Sequence, residues 1–255
     1  MKIYTPGPVY VRPEILAEMG HPPIEHRSKA MRMLLSSILP KLREVFGGGR
    51  GGTVFTAASS GTGLMEAAVT NTVPRGGKIL NLITGTFGER WHAITMAMGR
   101  EGCALSLPLG QAIAPQMVED ALRSRSYDAI TLTHNETSTG VLNPLREIAS
   151  VVKQFENVLF LVDAVSSFGG VPVEVDRNSI DFAFSTSQKC LAMPAGLALG
   201  YASDRCIDRA RSNPDRGFYF DIVRFAATSE VFEPAFTPPT SNLFALKRQL
   251  EDIAG

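Results

Sequence analysis

Lys189 stands at the end of Ser185-Thr186-Ser187-Gln188-Lys189, after the apolar Phe182-Ala183-Phe184 and before Ala192, Pro194, Ala195 and Gly196. A charged side chain among such small residues needs room and a partner. If buried, its pKa falls and the neutral amine becomes available as a nucleophile. A solvated surface lysine fits the same residues about as well. Asp163 raises a parallel question. It closes Leu159-Phe160-Leu161-Val162, and a carboxylate behind four apolar residues is costly unless paired. Either it is a helix cap, with Ser166 and Ser167 following in a turn-like segment, or it pairs with a protonated ring nitrogen of a ligand.

Three further segments have the same form, polar residues at the end of an apolar run. Ser59-Ser60-Gly61-Thr62-Gly63 follows Thr53–Ala57 and opens a helix. Free amides at a helix start, with hydroxyls beside them, make an anion cup. An ordinary Ser/Thr cap is the plainer alternative. The segment is neither GxGxxG nor GxxxxGK[ST], which weakens a dinucleotide or ATP reading. Gly85-Thr86-Phe87-Gly88 places an aromatic ring where it either stacks on a planar ligand or packs in the core. His134-Asn135-Glu136-Thr137-Ser138-Thr139-Gly140 is polar throughout. Its His134 and Glu136 are candidates for ligand or base, or else satisfied structural groups.

The elements that must position these residues read as an alternation. Strands are predicted at 53–57, 78–83, 104–107, 128–133, 158–162, 180–185 and 196–201. Helices are predicted at 28–46, 63–73, 87–98, 115–124, 144–155, 218–228 and 241–253. Apolar strands alternating with helices predict an α/β fold with a mostly parallel sheet covered on both faces. Ligands then bind at the carboxyl ends of the strands, where all five segments lie. Pro40 falls inside the first helix and is expected to kink or split it. Residues 1–25, rich in proline, read as an extended arm, and 26–255 as one large domain. The helix at 241–253 has no evident partner layer.

Composition narrows the partners. Lys plus Arg and Asp plus Glu number 25 each, so the formal net charge is zero. That argues against nucleic acid or an anionic membrane surface as the main partner. No apolar run is long enough to span a membrane. The three cysteines, Cys103, Cys190 and Cys206, have no metal-binding spacing, so no metal is expected. Their sparse, odd number fits a reducing cytoplasm.

Together the five strand ends supply an anion seat, a stacking ring, a polar wall, a carboxylate and an amine. Pyridoxal phosphate needs that set. The motifs TPGPVYV at 5–11, SSGTG at 59–63, GTFGERW at 85–91, HNETSTGVLNPL at 134–145, VDAVSSFGGVPVEVD at 162–176 and STSQKCLAMPAGLA at 185–198 resemble the class V aminotransferases of fold type I. The serine–glyoxylate and alanine–glyoxylate branch is the nearest in character. The resemblance implies the large domain of that fold, built on a seven-stranded sheet. It implies that Lys189 bonds the cofactor covalently and Asp163 holds its ring nitrogen protonated. Ser60, Gly61, Thr62 and Gln188 would take the phosphate, Phe87 would stack on the ring, and Thr137 would approach the ring oxygen or the neighbouring wall. Thr237, in TPPT at 237–240, would reach the phosphate of a partner subunit in a homodimer. Gly7 lies in the arm that closes the substrate pocket. The implied reaction moves an amino group from a small amino acid, serine or alanine, to a 2-oxo acid such as glyoxylate or pyruvate. Phosphonate aminotransferases, lyases and desulfurases share the same constellation. A chain that binds the cofactor without turnover is a further alternative. Family members normally add a small C-terminal domain carrying the arginine that clamps the substrate carboxylate. No arginine here matches that role, so the sequence reads as lacking that domain.

Overall fold

Nine helices and nine strands make up residues 3–49 and 51–254, the part described by the computed structural model. Helix α1 spans Pro13–Glu18 and α2 spans Lys29–Phe46. An alternation follows: β1 (Thr53–Ala58), α3 (Gly61–Thr72), β2 (Lys78–Ile83), α4 (Thr86–Ala97), β3 (Glu101–Ser106), α5 (Pro115–Ser124) and β4 (Ala129–Thr133). A two-stranded hairpin, β5 (Asn135–Glu136) with β6 (Val141–Leu142), interrupts it. Then come α6 (Leu145–Val152), β7 (Leu159–Asp163), β8 (Phe182–Thr186), β9 (Leu197–Ala202), α7 (Asp204–Ser212), α8 (Ile222–Glu230) and α9 (Thr240–Ala254).

Seven strands form one sheet in the order β1-β9-β8-β7-β4-β2-β3. Strands β8, β7, β4, β2 and β3 are mutually parallel. Strand β9 runs antiparallel to both of its neighbours, β1 and β8. The other six strands therefore end at the same edge of the sheet, as the sequence pattern requires. This is the α/β sheet of fold type I.

Successive strand residues go to opposite faces, and both faces are buried. On one side Leu80, Leu82, Ile130, Leu132, Phe160 and Val162 join a core with α2, α6 and α9. On the other, Ile79, Ala129, Leu159, Leu161, Phe182 and Phe184 pack with α3 and α8. That two-sided burial is why the strands read as continuous apolar runs rather than as an alternation.

Helix α2 begins at Ser28, whose side chain accepts the Met31 amide at 3.2 Å, and stops at Gly47 with φ 71°. Its buried stripe is Met31, Leu34, Leu35, Ile38, Leu39, Leu42 and Phe46. Pro40 neither splits nor ends it. Pro40 and Ser36 are both exposed, so the Ser36 carbonyl that loses its helical donor can be hydrated instead.

Two expectations are corrected here. Residues 1–25 are not uniformly extended, because α1 forms in them and Ile15 is fully buried in the core beside α2 and α9. The last helix does have a partner layer. It packs on α2 and α1, burying Leu243, Leu246 and Leu250, and Arg12 is hydrogen-bonded to Gln249 at 3.1 Å and to Asp252 at 2.5 Å. Ile15→Ala is accordingly expected to cost roughly 2–4 kcal/mol, as for other buried large-to-small changes. Denaturant unfolding checks this, and a loss below about 0.5 kcal/mol would mean α1 is a loose arm after all.

Candidate active site

The carboxyl ends of β1, β2, β4, β7 and β8 meet around one cavity of about 230 Å³. After β1, the chain turns at Ser60 into α3. Ser60 caps that helix, its hydroxyl accepting the Gly63 amide at 3.4 Å. The Gly61 and Thr62 amides make no hydrogen bond among the described residues. They face the position an anion would take at a helix N-terminus. Gly61 also allows close packing, since a Cβ there would lie 3.0 Å from Val165 Cγ2 and 3.4 Å from Thr186 Cγ2. The ends of β1, β7 and β8 can thus approach one another.

Asp163 is held from both sides by backbone. The His134 amide donates to its carbonyl at 2.9 Å, and Ala164, the next residue, donates to Phe184 at 2.9 Å. Its carboxylate Oδ1 accepts the Val165 amide at 2.8 Å, a local turn rather than a helix cap. The other oxygen has no protein partner among the described residues. Burial pushes the Asp163 carboxyl up to about 7; Val165's hydrogen bond, Lys189 and Arg90 oppose that rise, and Glu136 adds to it.

Lys189 is 8% exposed. Its backbone is fixed in a tight turn by Ala192 N to Lys189 O at 2.8 Å and Met193 N to Ser187 O at 3.0 Å. Desolvation lowers its pKa, against smaller opposing effects of Asp163 and Cys190. Its Nζ lies 5.9 Å from the centre of the Phe87 ring. Gly7 lies against the lysine stem: a Cβ at Gly7, whose φ is 152°, would sit 2.4 Å from Lys189 Cδ and 2.9 Å from Nζ. The Val9 amide donates to the Gln188 carbonyl at 3.2 Å, tying the N-terminal segment to the site.

Nine of the sequence-predicted residues therefore line one cavity: Gly7, Ser60, Gly61, Thr62, Phe87, Thr137, Asp163, Gln188 and Lys189. Thr137 is hydrogen-bonded to Ser166 at 2.6 Å. Thr237 is not among them; it is exposed, in a segment beside β1 with Tyr219 and Phe236. His134 is buried behind the cavity wall, where desolvation lowers its pKa to about 4. It is neutral at physiological pH, and it does not line the cavity. Neither Cys190 nor Cys103 lines it. A larger cleft of about 530 Å³ lies elsewhere, lined by Lys153, Asp176 and Arg205, and holds none of the predicted residues. Among the described residues no cluster has the make-up of a metal site, and no helix is long and apolar enough to cross a membrane.

The structure adds residues that sequence reasoning did not single out. Arg90 lines the cavity. Its guanidinium stacks 4.8 Å from the Phe87 ring centre and donates to Thr62 Oγ1 at 3.3 Å. Its spacing of three from Phe87 on a predicted helix was the available signal. Val165 and Ser166 also line it, and their only signal was adjacency to Asp163.

The residues present fit pyridoxal phosphate. Unpaired α3 amides suit a phosphate, the free oxygen of Asp163 suits a protonated ring nitrogen, and the depressed Lys189 amine suits an aldehyde. This fold is that of the fold type I class. The chain belongs to the class V aminotransferase family, whose model (Aminotransferase class-V) matches residues 16–253. It is 39% identical over 254 residues to an uncharacterized aminotransferase of Methanocaldococcus jannaschii, covering 98% of this chain and 65% of that protein. It is 29% identical to the serine–glyoxylate aminotransferase of Methylorubrum extorquens, covering 97% and 64%. The aspartate aminotransferase of subgroup IV from Thermus thermophilus superposes with a TM-score of 0.90 at 32% identity, covering 99% of this chain and 70% of that one. The chain thus spans about two thirds of the length of the curated relatives it matches.

Proposed function

We propose that this chain is the cofactor-binding large domain, 26–255, with its N-terminal arm, 1–25, of a pyridoxal phosphate-dependent aminotransferase. The donor in this reading is a small amino acid, serine or alanine, and the acceptor is glyoxylate or pyruvate. The observation that carries the reading is the meeting of Lys189, Asp163, Phe87 and the free α3 amides around one cavity. Bound there, pyridoxal phosphate supplies an aldehyde that captures amines and a ring that accepts the electron pair released at a substrate α-carbon.

The Gly61 and Thr62 amides, with the Ser60 and Thr62 hydroxyls and the Gln188 amide, would anchor the phosphate. Phe87 would stack on the ring, and Thr137 would approach the ring oxygen or the neighbouring wall. The carboxylate oxygen of Asp163 that Val165 leaves free would accept the proton of a protonated ring nitrogen. Lys189 would hold the cofactor, and its desolvated amine would serve as general base and then acid toward the α-proton. Gly7 leaves the lysine stem the room to swing. The named relatives differ in donor, serine in one and aspartate in another, so the donor rests on this proposal and the reaction type on the family. A homodimer in which Thr237 reaches the partner's phosphate completes the reading.

Borohydride reduction after addition of pyridoxal phosphate, followed by peptide mapping, tests it. One phosphopyridoxyl adduct is expected, on Lys189. Adducts scattered over surface lysines, or none on a folded chain, would overturn the reading.

A further inference from the structure

Glu136 is fully buried, yet no lysine, arginine or histidine pairs with it among the described residues. Its four hydrogen bonds come from two separate segments. Oε2 accepts the amides of Phe87 at 3.1 Å and Gly88 at 3.2 Å. Oε1 accepts the Ser138 amide at 3.1 Å and the Ser138 hydroxyl at 2.7 Å. The Ser138 hydroxyl in turn accepts the Thr86 amide at 3.0 Å.

These contacts answer a deficit in α4. Its N-cap is Gly85, which has no side chain to cap the helix. The first turn, which carries Phe87, would otherwise leave the Thr86, Phe87 and Gly88 amides without a protein partner. Glu136 and Ser138 cap it from another part of the chain, and a carboxylate is the favoured partner for a helix N-terminus. The fit is close. A Cβ on Gly85 would lie 2.5 Å from Ser138 Oγ and 2.7 Å from Glu136 Cγ. Thr137 stands between the two capping residues and is fixed to Ser166 on the far side. A second tie, Thr139 Oγ1 to the Thr84 carbonyl at 3.1 Å, secures the same two segments.

We propose that Glu136 is a positioning residue: its carboxylate locks α4 to the 136–138 segment and so fixes the spacing of Phe87 and Thr137 in the cavity wall. It touches no reacting atom. Its effect reaches the cofactor through the Phe87 ring. A neutral glutamine in its place cannot serve all four donors, because one of its two terminal atoms is itself a donor.

This inference rests on the cofactor reading above, and the test separates the two. Wild-type trapping at Lys189 establishes cofactor binding independently. Affinity for pyridoxal phosphate is then measured by visible absorbance and by the circular dichroism of the bound cofactor in a double-mutant cycle of Glu136→Gln and Phe87→Leu. Glu136→Gln is expected to weaken affinity about tenfold in the Phe87 background, by loss of charge-assisted hydrogen bonds, and to lower the dichroism of what binds. In the Phe87→Leu background the same change should cost under about twofold, because contacting residues couple. Equal losses in both backgrounds, or no loss in either, would overturn the proposal. If Glu136→Gln fails to fold, Ser138→Ala takes its place in the cycle. It removes one donor to Oε1 and the acceptor of the Thr86 amide, with a loss of about threefold expected and the same dependence on Phe87.

Discussion

Lys189→Met is expected to abolish the borohydride-trapped adduct and to lower amino transfer by at least ~10³-fold, while leaving the chain folded. The loss is large because, in the proposed function, one side chain serves twice, holding the cofactor and moving the α-proton. The fold survives for a local reason. Lys189 is 8% exposed, and burial already works against its charge. Methionine fills the volume that lies against Gly7, where the lysine Cδ and Cε now sit, without a charge to desolvate. The melting temperature of the cofactor-free protein should therefore stay level or rise. Mass mapping and calorimetry of the variant check both halves. A full-strength adduct on some other lysine would remove Lys189 from the site, whatever the activity showed.

Much of this site could be read from the sequence because strand ends announce themselves. Asp163 follows four apolar residues, Lys189 follows Phe182–Phe184, and Ser60–Gly61–Thr62 opens a helix after β1. A parallel sheet brings such points to one edge, so residues far apart in the chain converge without any pairwise signal. What stayed hidden depended on the third dimension. Strand β9 is antiparallel, but a strand buried on both faces reads the same in either direction. Helix α1 has six residues and no side-chain cap, and one buried isoleucine makes no periodicity. Helix α9 finds its layer on α2 and α1, across some two hundred residues of sequence. Helix α7, Asp204–Ser212, buries only Cys206, Ile207 and Ala210 and is otherwise polar, so its apolar residues are too few to predict a helix. Glu136 was visible as a candidate base, but its actual partners are backbone amides of α4, and amides leave no trace in a sequence.

Asp163→Asn is expected to move stability and function in opposite directions. An aspartate in the unfolded chain titrates near its ordinary 3.8, whereas burial holds the folded carboxyl at about 7. Between those values the folded state binds the extra proton, so stability falls as pH rises from 4 to 7 and the penalty is complete above 7. Asparagine keeps the amide acceptor for Val165 and carries no charge. It should stabilise the cofactor-free chain by roughly 2–4 kcal/mol at pH 8 and by almost nothing at pH 4. Function goes the other way. Asparagine cannot hold a proton on a ring nitrogen as a carboxylate does, so the electron sink weakens, and a fall in amino transfer of ~10²-fold or more is expected. Groups retained for chemistry commonly cost stability in this way. Urea unfolding of the wild type and Asp163→Asn at both pH values, beside a single-turnover assay, separates the possibilities. A variant less stable at pH 8 than the wild type would show that the buried charge is compensated within the protein, and Asp163 would then be a structural turn residue rather than the partner of a cofactor.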